Sequence, residues 1–386
     1  MLWPIATAVF CRLILNTARR FAYPFAPMLS RNLGVSLTAV TSVIAVNQAT
    51  AVIGILFGPL ADRMGYRFMM LSGLVCLVSG MLWTGFWPSY GALMFSLFLA
   101  GLGKTLFDPA IQAYIGRQVP YGRRGTAIGL LEMSWAGSTL VGIPGIALLM
   151  NWLGWKSPFF VMGALGLVGM AGIRMLNSSS SADTKSTFEH NPFGPAWRKL
   201  FRNRPAVAAL AYAFFISVAN DNLFVVYGAW FENAFGISVV LLGLGTGVIG
   251  VAELLGEGIT ASFADRFGLL RSIKAGLIFT VLSYLLLPVI GTSLWSALLG
   301  IFAVFMAFEF TIVTSISLCT ELLPAYRATM MSAFFASAGV GRVVGALIGS
   351  TIWLKGGMGC TCLVSAGMTL LALISLAAGG IDRDAL

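Results

Sequence analysis

The chain has 386 residues, of which 58% are hydrophobic and only 10% are charged, and its mean hydropathy is +0.89. Charged residues make up about a quarter of a typical soluble chain, so this composition excludes a soluble protein and indicates a polytopic membrane protein. The net charge of +10 lies mostly on short loops between apolar segments, which argues against a nucleic-acid-binding surface. The single histidine, His190, and five cysteines within apolar stretches form no metal-binding or disulfide pattern. We therefore expect no metal and no cofactor.

Twelve apolar segments are long enough to form membrane-spanning helices, which need about 20 residues each. Breaks at glycine, proline and charged residues place these segments at 3–28, 38–61, 68–87, 90–115, 124–151, 157–175, 205–232, 238–263, 270–291, 294–319, 328–354 and 358–380. The first segment carries arginines inside its apolar stretch, as a signal peptide does not, so we expect a retained first span. We predict an all-α integral membrane protein with an N-terminal six-helix bundle at 1–176, a cytoplasmic linker at 177–204 and a C-terminal six-helix bundle at 205–386.

The basic residues predict the orientation in the membrane. If both termini and the linker share one side, that side holds 16 of the 24 Lys and Arg residues, the opposite side holds 3, and 5 lie within spans. Because basic loops stay in the cytoplasm, both termini are predicted to be cytoplasmic. The short loops favour a multi-pass protein of the bacterial inner membrane.

A short charged turn occurs twice, 203 residues apart, after the second and the eighth span. The first copy runs from Gly58 through Asp62, Arg63 and Gly65 to Arg67, and the second contains Asp265, Arg266 and Gly268. Other pairs keep nearly the same separation, namely Arg124 with Arg327, Thr126 with Thr329, and Gly34 with Gly236. Two similar halves in register are typical of a transporter with internal repeats.

These motifs resemble the major facilitator superfamily (MFS), and the resemblance covers the whole chain. It implies the MFS fold of twelve transmembrane helices in two pseudo-symmetric six-helix bundles, with helices 1, 4, 7 and 10 around a central cavity and rocker-switch alternating access. It also implies a gating role for the cytoplasmic turns, formed by Gly58, Asp62, Arg63, Gly65, Arg67, Asp265, Arg266 and Gly268. The alternative is that these arginines only enforce topology. Tyr66 stands where the family usually has a basic residue.

Polar residues on the first and seventh spans are the first candidates for substrate binding. Ionisable groups at membrane depth are costly and usually face a cavity or a partner, and on the first span four polar residues share one helical face. The internal repeat places Arg19 opposite Asp221 and Arg20 opposite Asn222. These residues could bind substrate or form a static buried salt bridge across the pseudo-two-fold axis. The candidates on these two spans are Arg12, Asn16, Arg19, Arg20, Tyr23, Asp221 and Asn222.

The fourth span adds Lys104 and Asp108 to the substrate-binding candidates. Their spacing of four residues lets them neutralise each other on one helix face, and the alternative is that they bind substrate or a proton. The family's fourth helix usually has an arginine four residues before a Gly-x-Gly motif. Leu97 stands at that position here, and Lys104 is the candidate replacement.

Four carboxylates are candidates for proton coupling, because a carboxyl group in a low-dielectric cavity can bind a proton near neutral pH. They are Asp221, Glu253, Glu257 and Glu309, with Arg342 as a possible fixed counter-ion. On the fifth span, Gly137, Gly142, Pro144 and Gly145 weakly resemble an antiporter motif of the family. The alternative is a kink with close helix packing.

The leading functional prediction is a proton-coupled secondary transporter of a small organic solute. Four of the five basic residues within spans lie in the N-terminal half, which favours an anionic or zwitterionic substrate. One alternative is a proton-driven multidrug efflux antiporter for lipophilic or cationic compounds, and a further one is a non-transporting MFS-like sensor. No nucleophile–base or metal constellation indicates an enzyme. We expect a monomer whose partners are a small-molecule substrate, protons and the lipid bilayer, with no nucleic acid.

Overall fold

The computed structural model describes residues 2–54, 64–118, 131, 133–176, 193–260, 262, 267–323 and 327–380. Within these ranges the regular secondary structure is helical. The first half contains α1 (Leu2–Arg20), α2 (Ala26–Leu33), α3 (Leu37–Ile53), α4 (Tyr66–Phe86), α5 (Tyr90–Gln118), α6 (Met133–Leu153) and α7 (Ser157–Arg174). The second half contains α8 (Phe193–Arg202), α9 (Arg204–Phe224), α10 (Tyr227–Phe235), α11 (Val239–Ile259), α12 (Leu269–Ile290), α13 (Leu294–Leu322) and α14 (Arg327–Ala378).

Each of the twelve predicted spans has a helical counterpart, so the all-α membrane fold is confirmed. Within the described ranges, nine helices are long and apolar enough to cross a membrane, or ten if the bent pair α2–α3 is one span. One of the nine, α14, carries the last two predicted spans, which meet at a break at Gly357 (φ 65°). The first span, which carries three arginines, consists of α1 and α2.

The internal repeat extends to backbone geometry. Gly34 ends α2 with φ 66° and ψ 30°, and Gly236 ends α10 with φ 60° and ψ 28°. Gly65 precedes α4 with φ 88° and ψ 139°, and Gly268 precedes α12 with φ 84° and ψ 132°. Glycine adopts such positive φ angles without the steric penalty of a side chain, so equivalent glycines shape equivalent turns in the two halves.

The first span of each half is broken at an equivalent place. The helix from Leu2 ends at Arg20 and resumes at Ala26, and the helix from Arg204 ends at Phe224 and resumes at Tyr227. The repeat offset of 202 residues relates the two breaks. Discontinuous membrane helices commonly form the binding sites of transporters built from repeats.

By packing, the chain divides into two compact units. The first contains Met1–Ala182 with Val225–Gly250, and the second contains Asp183–Phe224 with Val251–Leu386. α10 and the start of α11 pack in the first unit, where a Cβ on Gly228 would lie 2.2 Å from the carbonyl oxygen of Pro24. The units therefore differ from the predicted bundles over this segment. The bundle boundaries drawn from the repeat stay a prediction, and most of the predicted linker, 177–192, lies outside the described residues.

Small residues bring the helices of the first unit close together, as is common in membrane proteins. A Cβ on Gly103 of α5 would lie 2.4 Å from the carbonyl oxygen of Gly73 on α4. A Cβ on Gly142 of α6 would lie 2.1 Å from the hydroxyl of Thr17 on α1. These contacts place α5 against α4 and α6 against α1, and α1, α5 and α6 carry the polar side chains described next.

Candidate functional site

The polar face predicted on the first span lies inside the first unit. Asn16 donates to the hydroxyl of Ser134 at 3.3 Å. Arg19 donates to two neutral amides of α3, at 3.1 Å to Asn47 and 2.5 Å to Gln48. All four polar residues of the face are buried: Arg12, Asn16, Arg19 and Tyr23. The face therefore contacts protein through polar groups and not through apolar packing alone.

The side chain of Gln48 lies between two residues of that face. Its amide oxygen accepts from Arg19, and its amide nitrogen donates to the Tyr23 hydroxyl. The second polar partner on α3, Asn47, also donates to the carbonyl of Leu97 at 2.5 Å. This network ties α1 to α3 and α5 and fixes the orientation of the Arg19 guanidinium.

Two cations share one carboxylate where α1 meets α5. Lys104 donates to one oxygen of Asp108 at 2.5 Å, and Arg12 donates to the other at 3.3 Å. The side chains of Arg12 and Lys104 are 6% and 8% exposed, and that of Asp108 is 21% exposed. The predicted Lys104–Asp108 pair is thus present, but it is joined by a second cation from another helix.

Trp135 of α6, which was not among the sequence candidates, connects this group to Arg20. The Arg20 guanidinium carbon lies 4.3 Å from the centroid of the indole ring, and Lys104 Nζ lies 5.7 Å from it. Arg20 also donates to the carbonyl oxygen of Trp135 at 3.3 Å. Cations over an indole face are attracted by its quadrupole. We call Arg12, Arg20, Lys104, Asp108 and Trp135 the Trp135 cluster.

The backbone of α6 is irregular just beyond Trp135. Ser138–Gly142 forms a turn of π-helix, and Pro144 follows it. Turns of π-helix inside α-helices frequently occur at functional sites. Gly142 faces Thr17 closely, as the packing alternative for the glycines of this span predicted, and the antiporter alternative stays a prediction.

In the second unit, Asp221 and Arg342 form the ion pair predicted for a fixed counter-ion. Asp221 is buried, and Arg342 Nε lies 3.9 Å from its Oδ2. The backbones of α9 and α14 approach closely here, because a Cβ on Gly345 would lie 2.7 Å from the carbonyl oxygen of Val218. Gly341 makes the same kind of approach one turn earlier. The resulting small-xxx-small pattern was not identified from the sequence.

Asn222 has a structural hydrogen-bond set next to this pair. Its amide nitrogen donates to the carbonyl of Thr361 and the hydroxyl of Ser365, both at 3.0 Å. Ser365 in turn donates to the carbonyl of Ala219 at 2.8 Å. Arg19 and Asp221 thus lie in different units and each has partners in its own unit. Their pairing across the pseudo-two-fold axis stays a prediction.

The other three carboxylates lie where α11 crosses α13. A Cβ on Gly256 would lie 2.9 Å from the Cβ of Glu309, and Glu253 and Glu257 belong to the same stretch of α11. Glu253 and Glu309 are buried, and Glu257 is partly buried. The predicted proton-coupling residues other than Asp221 are therefore near one another in the second unit.

The gating prediction falls largely on residues outside the described ranges, since Gly58, Asp62, Arg63, Asp265 and Arg266 are among them. Glu132, which with Asp108 is one of the two acidic residues in the spans of the first half, also lies outside the described ranges. The described members are Gly65 and Gly268, which adopt matching backbone conformations, and Arg67, which donates to the backbone carbonyl of Arg174.

No metal site emerges from the described part of the chain, which contains no group of three or more His, Cys, Asp or Glu suited to an ion. At the end of the first span a cavity of about 160 Å³ lies beside α2, α10 and the start of α11. Arg31 and Glu232 border it and form an ion pair at 2.7 Å.

Comparison with known proteins agrees with this architecture. The sequence profile of the Major Facilitator Superfamily matches residues 8–231 and 210–384. The uncharacterized MFS-type transporter YceJ of Bacillus subtilis (strain 168) is 25% identical over 78% of this chain and 77% of its own length. The multi-drug resistance efflux pump PmrA homolog of Lactococcus lactis subsp. lactis (strain IL1403) is 24% identical over 85% of this chain and 83% of its own.

Solved structures show the same fold at low sequence identity. A POT family transporter in complex with a thioalcohol-conjugated peptide superposes with a TM-score of 0.79 at 16% identity, over 97% of this chain and 95% of the other. A bacterial homolog of the human lysosomal transporter Spinster, inward-facing and unoccupied, gives 0.73 at 16% identity, over 97% and 94%. The chain belongs to the Major Facilitator Superfamily and is a multi-pass membrane transporter of small molecules, not an enzyme.

Proposed function

We propose that this transporter moves a small organic anion or zwitterion, coupled to protons, by rocker-switch alternating access. The observation that carries the proposal is the Trp135 cluster, whose side chains bear three positive charges and one negative charge in a buried setting. Away from the span ends, the spans of the N-terminal half contain four basic residues (Arg12, Arg19, Arg20 and Lys104) and two acidic ones (Asp108 and Glu132). An excess of buried positive charge is costly, and an anionic substrate group lowers that cost.

The cluster has the chemistry to orient such a substrate. The Arg20 guanidinium lies over the indole ring of Trp135, and a planar guanidinium binds a carboxylate or phosphate with two parallel hydrogen bonds. Lys104 is a compact cation that can exchange Asp108 for a substrate anion. Arg19, whose bonds go to neutral amides, and Asn16 and Tyr23 complete the proposed substrate-binding face, with Asp221 and Asn222 contributed by the seventh span.

The proposed coupling residues are the carboxylates of the second unit. Protonation of Asp221 would weaken its attraction to Arg342, and protonation of Glu309 would reduce repulsion from Glu253 and Glu257, so either event can bias a conformational equilibrium. Away from the span ends, the spans of the C-terminal half contain four acidic residues (Asp221, Glu253, Glu257 and Glu309) and one basic residue (Arg342). The two halves thus provide separate sites for an anion and for protons.

The membrane arrangement completes the proposal. Both termini and the linker at 177–204 lie in the cytoplasm, the bundles are 1–176 and 205–386, and the transporter acts as a monomer. The turns with Asp62 and Asp265 act as cytoplasmic gates that re-form in each cycle. Sixteen basic residues on the cytoplasmic side, against three on the other, support this orientation.

Reconstituted proteoliposomes test the coupling. A carboxylate that carries the proton is needed for uptake driven by a pH gradient, but not for exchange of labelled for unlabelled substrate across the membrane. We expect Glu309→Gln or Asp221→Asn to abolish driven uptake and retain exchange, and Lys355→Gln, an exposed change on the opposite side, to retain both. If every carboxylate variant keeps both driven uptake and exchange, that result contradicts proton coupling through these residues.

Efflux of lipophilic cations is the second candidate function. The PmrA homolog of Lactococcus lactis and Multidrug resistance protein MdtH of Salmonella typhi, 29% identical over 39% of this chain, support it, as does the acidic character of the C-terminal half. Under this alternative a lipophilic cation stabilises the protein, the effect survives Arg20→Gln, and it is lost in Glu309→Gln. The anion proposal makes the opposite prediction for Arg20→Gln.

A further inference from the structure

The helix α8 lies immediately before a membrane-spanning helix. α8 ends at Arg202 and α9 begins at Arg204. Asn203 between them accepts from the backbone N–H of Ala206 at 3.0 Å and donates its own N–H to the carbonyl of Leu200 at 3.0 Å. This capped turn fixes α8 at the N-terminal end of α9, where the candidate membrane span Arg204–Phe235 begins. We therefore expect α8 to lie at the membrane surface.

One face of α8 is anchored in the second unit. Leu200 is fully buried in a hydrophobic cluster that includes Tyr212 of α9 and Phe334 of α14, and Trp197 packs partly against the same cluster. Because this face is anchored, α8 cannot rotate about its own axis. The orientation of its outer face is consequently set by the fold.

The outer face of α8 combines basic and aromatic side chains. Arg198, Arg202 and the neighbouring Arg204 are exposed. Phe201 is 62% exposed, and its ring stacks on Trp197 with centroids 5.9 Å apart and an interplanar angle of 28°. Residues 193–204 include no Asp or Glu. A topology signal needs only the positive charge, so it does not account for an exposed aromatic ring between the arginines.

Basic side chains beside aromatic rings on a short surface helix match the boundary between headgroups and acyl chains. Arginine binds phosphate with paired hydrogen bonds, and Trp and Phe rings favour the interfacial layer. The cytoplasmic leaflet attracts basic segments next to a membrane span through its anionic lipids. The exposed arginines of α8 thus match anionic lipids in charge, and its aromatic rings match the depth of the interfacial layer.

We propose that α8 is an interfacial helix whose arginines, Arg198, Arg202 and Arg204, bind the headgroups of anionic phospholipids while Phe201 inserts beneath them. The site would couple the stability of the second unit to the lipid composition of the bilayer. It is independent of which substrate the transporter carries.

The thermal stability of the purified full chain in neutral detergent, with phosphatidylglycerol or phosphatidylcholine added, tests the proposal. We expect phosphatidylglycerol to raise Tm by several degrees more than phosphatidylcholine, and high salt to reduce that difference. Inorganic phosphate alone should give no comparable shift. Equal shifts with both lipids, a difference insensitive to salt, or an equal shift with inorganic phosphate would each overturn the proposal.

Variants locate the effect on α8. Arg198→Gln/Arg202→Gln/Arg204→Gln should lose most of the difference between the two lipids, and Phe201→Ser should lose part of it. The matched control Lys156→Gln/Lys355→Gln removes exposed cations from the opposite side and should retain the full difference. A triple variant that keeps it refutes the assignment to α8. If that variant does not fold, Phe201→Ser alone locates the effect, and a lipid difference that Phe201→Ser leaves unchanged refutes the assignment to α8.

Discussion

At the residue scale, the ion pair of Asp221 with Arg342 is a buried carboxylate facing a cation that is about one-quarter exposed, since the side chains are 3% and 24% exposed. Breaking a buried pair leaves one charge without compensation, at a cost of roughly 3–5 kcal/mol. We expect Asp221→Ala to destabilise the protein toward the lower end of that range, because the Arg342 side chain is only partly buried in the protein. The measurement is thermal unfolding of the purified variant.

A double-mutant cycle is the control for that prediction. Adding Arg342→Gln to Asp221→Ala removes the stranded charge, so the double variant should be more stable than Asp221→Ala alone. Strictly additive losses would contradict an energetic coupling between the two side chains.

Gly65 and Gly268 test the repeat at single positions. Both precede helices with φ above 80° and ψ above 130°, a region that is essentially restricted to glycine and costs other residues about 1–3 kcal/mol. Gly65→Ala and Gly268→Ala should therefore lower the melting temperature by similar amounts. Gly91→Ala, at a helical glycine with nothing within 4 Å of the added Cβ, should leave the melting temperature unchanged. A loss in only one of the two turns would contradict their equivalence.

The site residues divide into those that local rules predicted and those that they did not. Lys104 and Asp108 pair because a spacing of four places them together on a helix, so the sequence predicted them. Arg12 joins them from another helix, and Trp135 comes from a third. Those contacts depend on how the helices pack against one another, and the spacing of residues along a single helix does not predict that packing. A tryptophan in the middle of a span, three residues after Glu132, was the available signal.

At the element scale, the breaks in the first and seventh spans place charged residues at helix ends. Arg19 and Arg20 end α1, and Asp221 and Asn222 lie in the last turn of α9. Hydropathy alone predicts each span as one helix because the residues at the breaks are apolar. Pro24 and Pro27, the latter in the first turn of α2, were the local indications of the first break. The second, at Val225 and Val226, has no such residue.

Helix packing around the π-turn of α6 yields a compensation test. Gly142→Ala should destabilise the protein, because the added Cβ would lie 2.1 Å from the Thr17 hydroxyl and 2.9 Å from its methyl group. Overpacking of this kind typically costs about 1–3 kcal/mol. Thr17→Ala removes both atoms and should restore most of the stability in the double variant.

Gly145 of the same helix is the matched control, because a Cβ there meets nothing within 4 Å. Gly145→Ala should leave the melting temperature unchanged within about 0.5 kcal/mol of stability. If Gly142→Ala behaves like Gly145→Ala, the close approach of α1 and α6 is not present in the membrane.

At the scale of the whole molecule, the proposed rocker-switch mechanism requires the ends of the first and seventh spans near Arg31 and Glu232 to separate in each cycle. In this structure those ends are in contact, through the Arg31–Glu232 ion pair at 2.7 Å and the approach of Gly228 to Pro24. The ion pair is partly exposed, so it contributes little to stability and can break at low cost. It marks a contact that must open and close.

Cross-linking tests that movement. A short bifunctional thiol reagent applied to Arg31→Cys/Glu232→Cys should stop transport, and a cleavable linker should restore it on reduction. Each single-cysteine variant treated identically is the control for reaction at native cysteines such as the exposed Cys360. Undiminished transport by a fully cross-linked protein would exclude opening at this contact.

The fold was largely predictable from the sequence because membrane spans carry a strong hydropathy signal and the glycine turns repeat. The units of packing were less predictable. Segment Val225–Gly250 belongs to the C-terminal half by repeat, yet it packs with the first unit, since Gly228 admits close contact with Pro24, between α1 and α2, and Gly243 admits close contact with α6. Contacts between halves depend on conformation, which a single sequence pattern does not specify.

The charge class of the ligand is the most direct test of the proposed function. The measurement is a thermal-shift screen of the purified protein against organic anions, zwitterions and lipophilic cations, repeated with Arg20→Gln and with the exposed-site control Lys355→Gln. We expect stabilisation by an anion or zwitterion that Arg20→Gln abolishes and Lys355→Gln retains. Stabilisation by cations alone, unchanged in Arg20→Gln, would contradict an anion site at the Trp135 cluster.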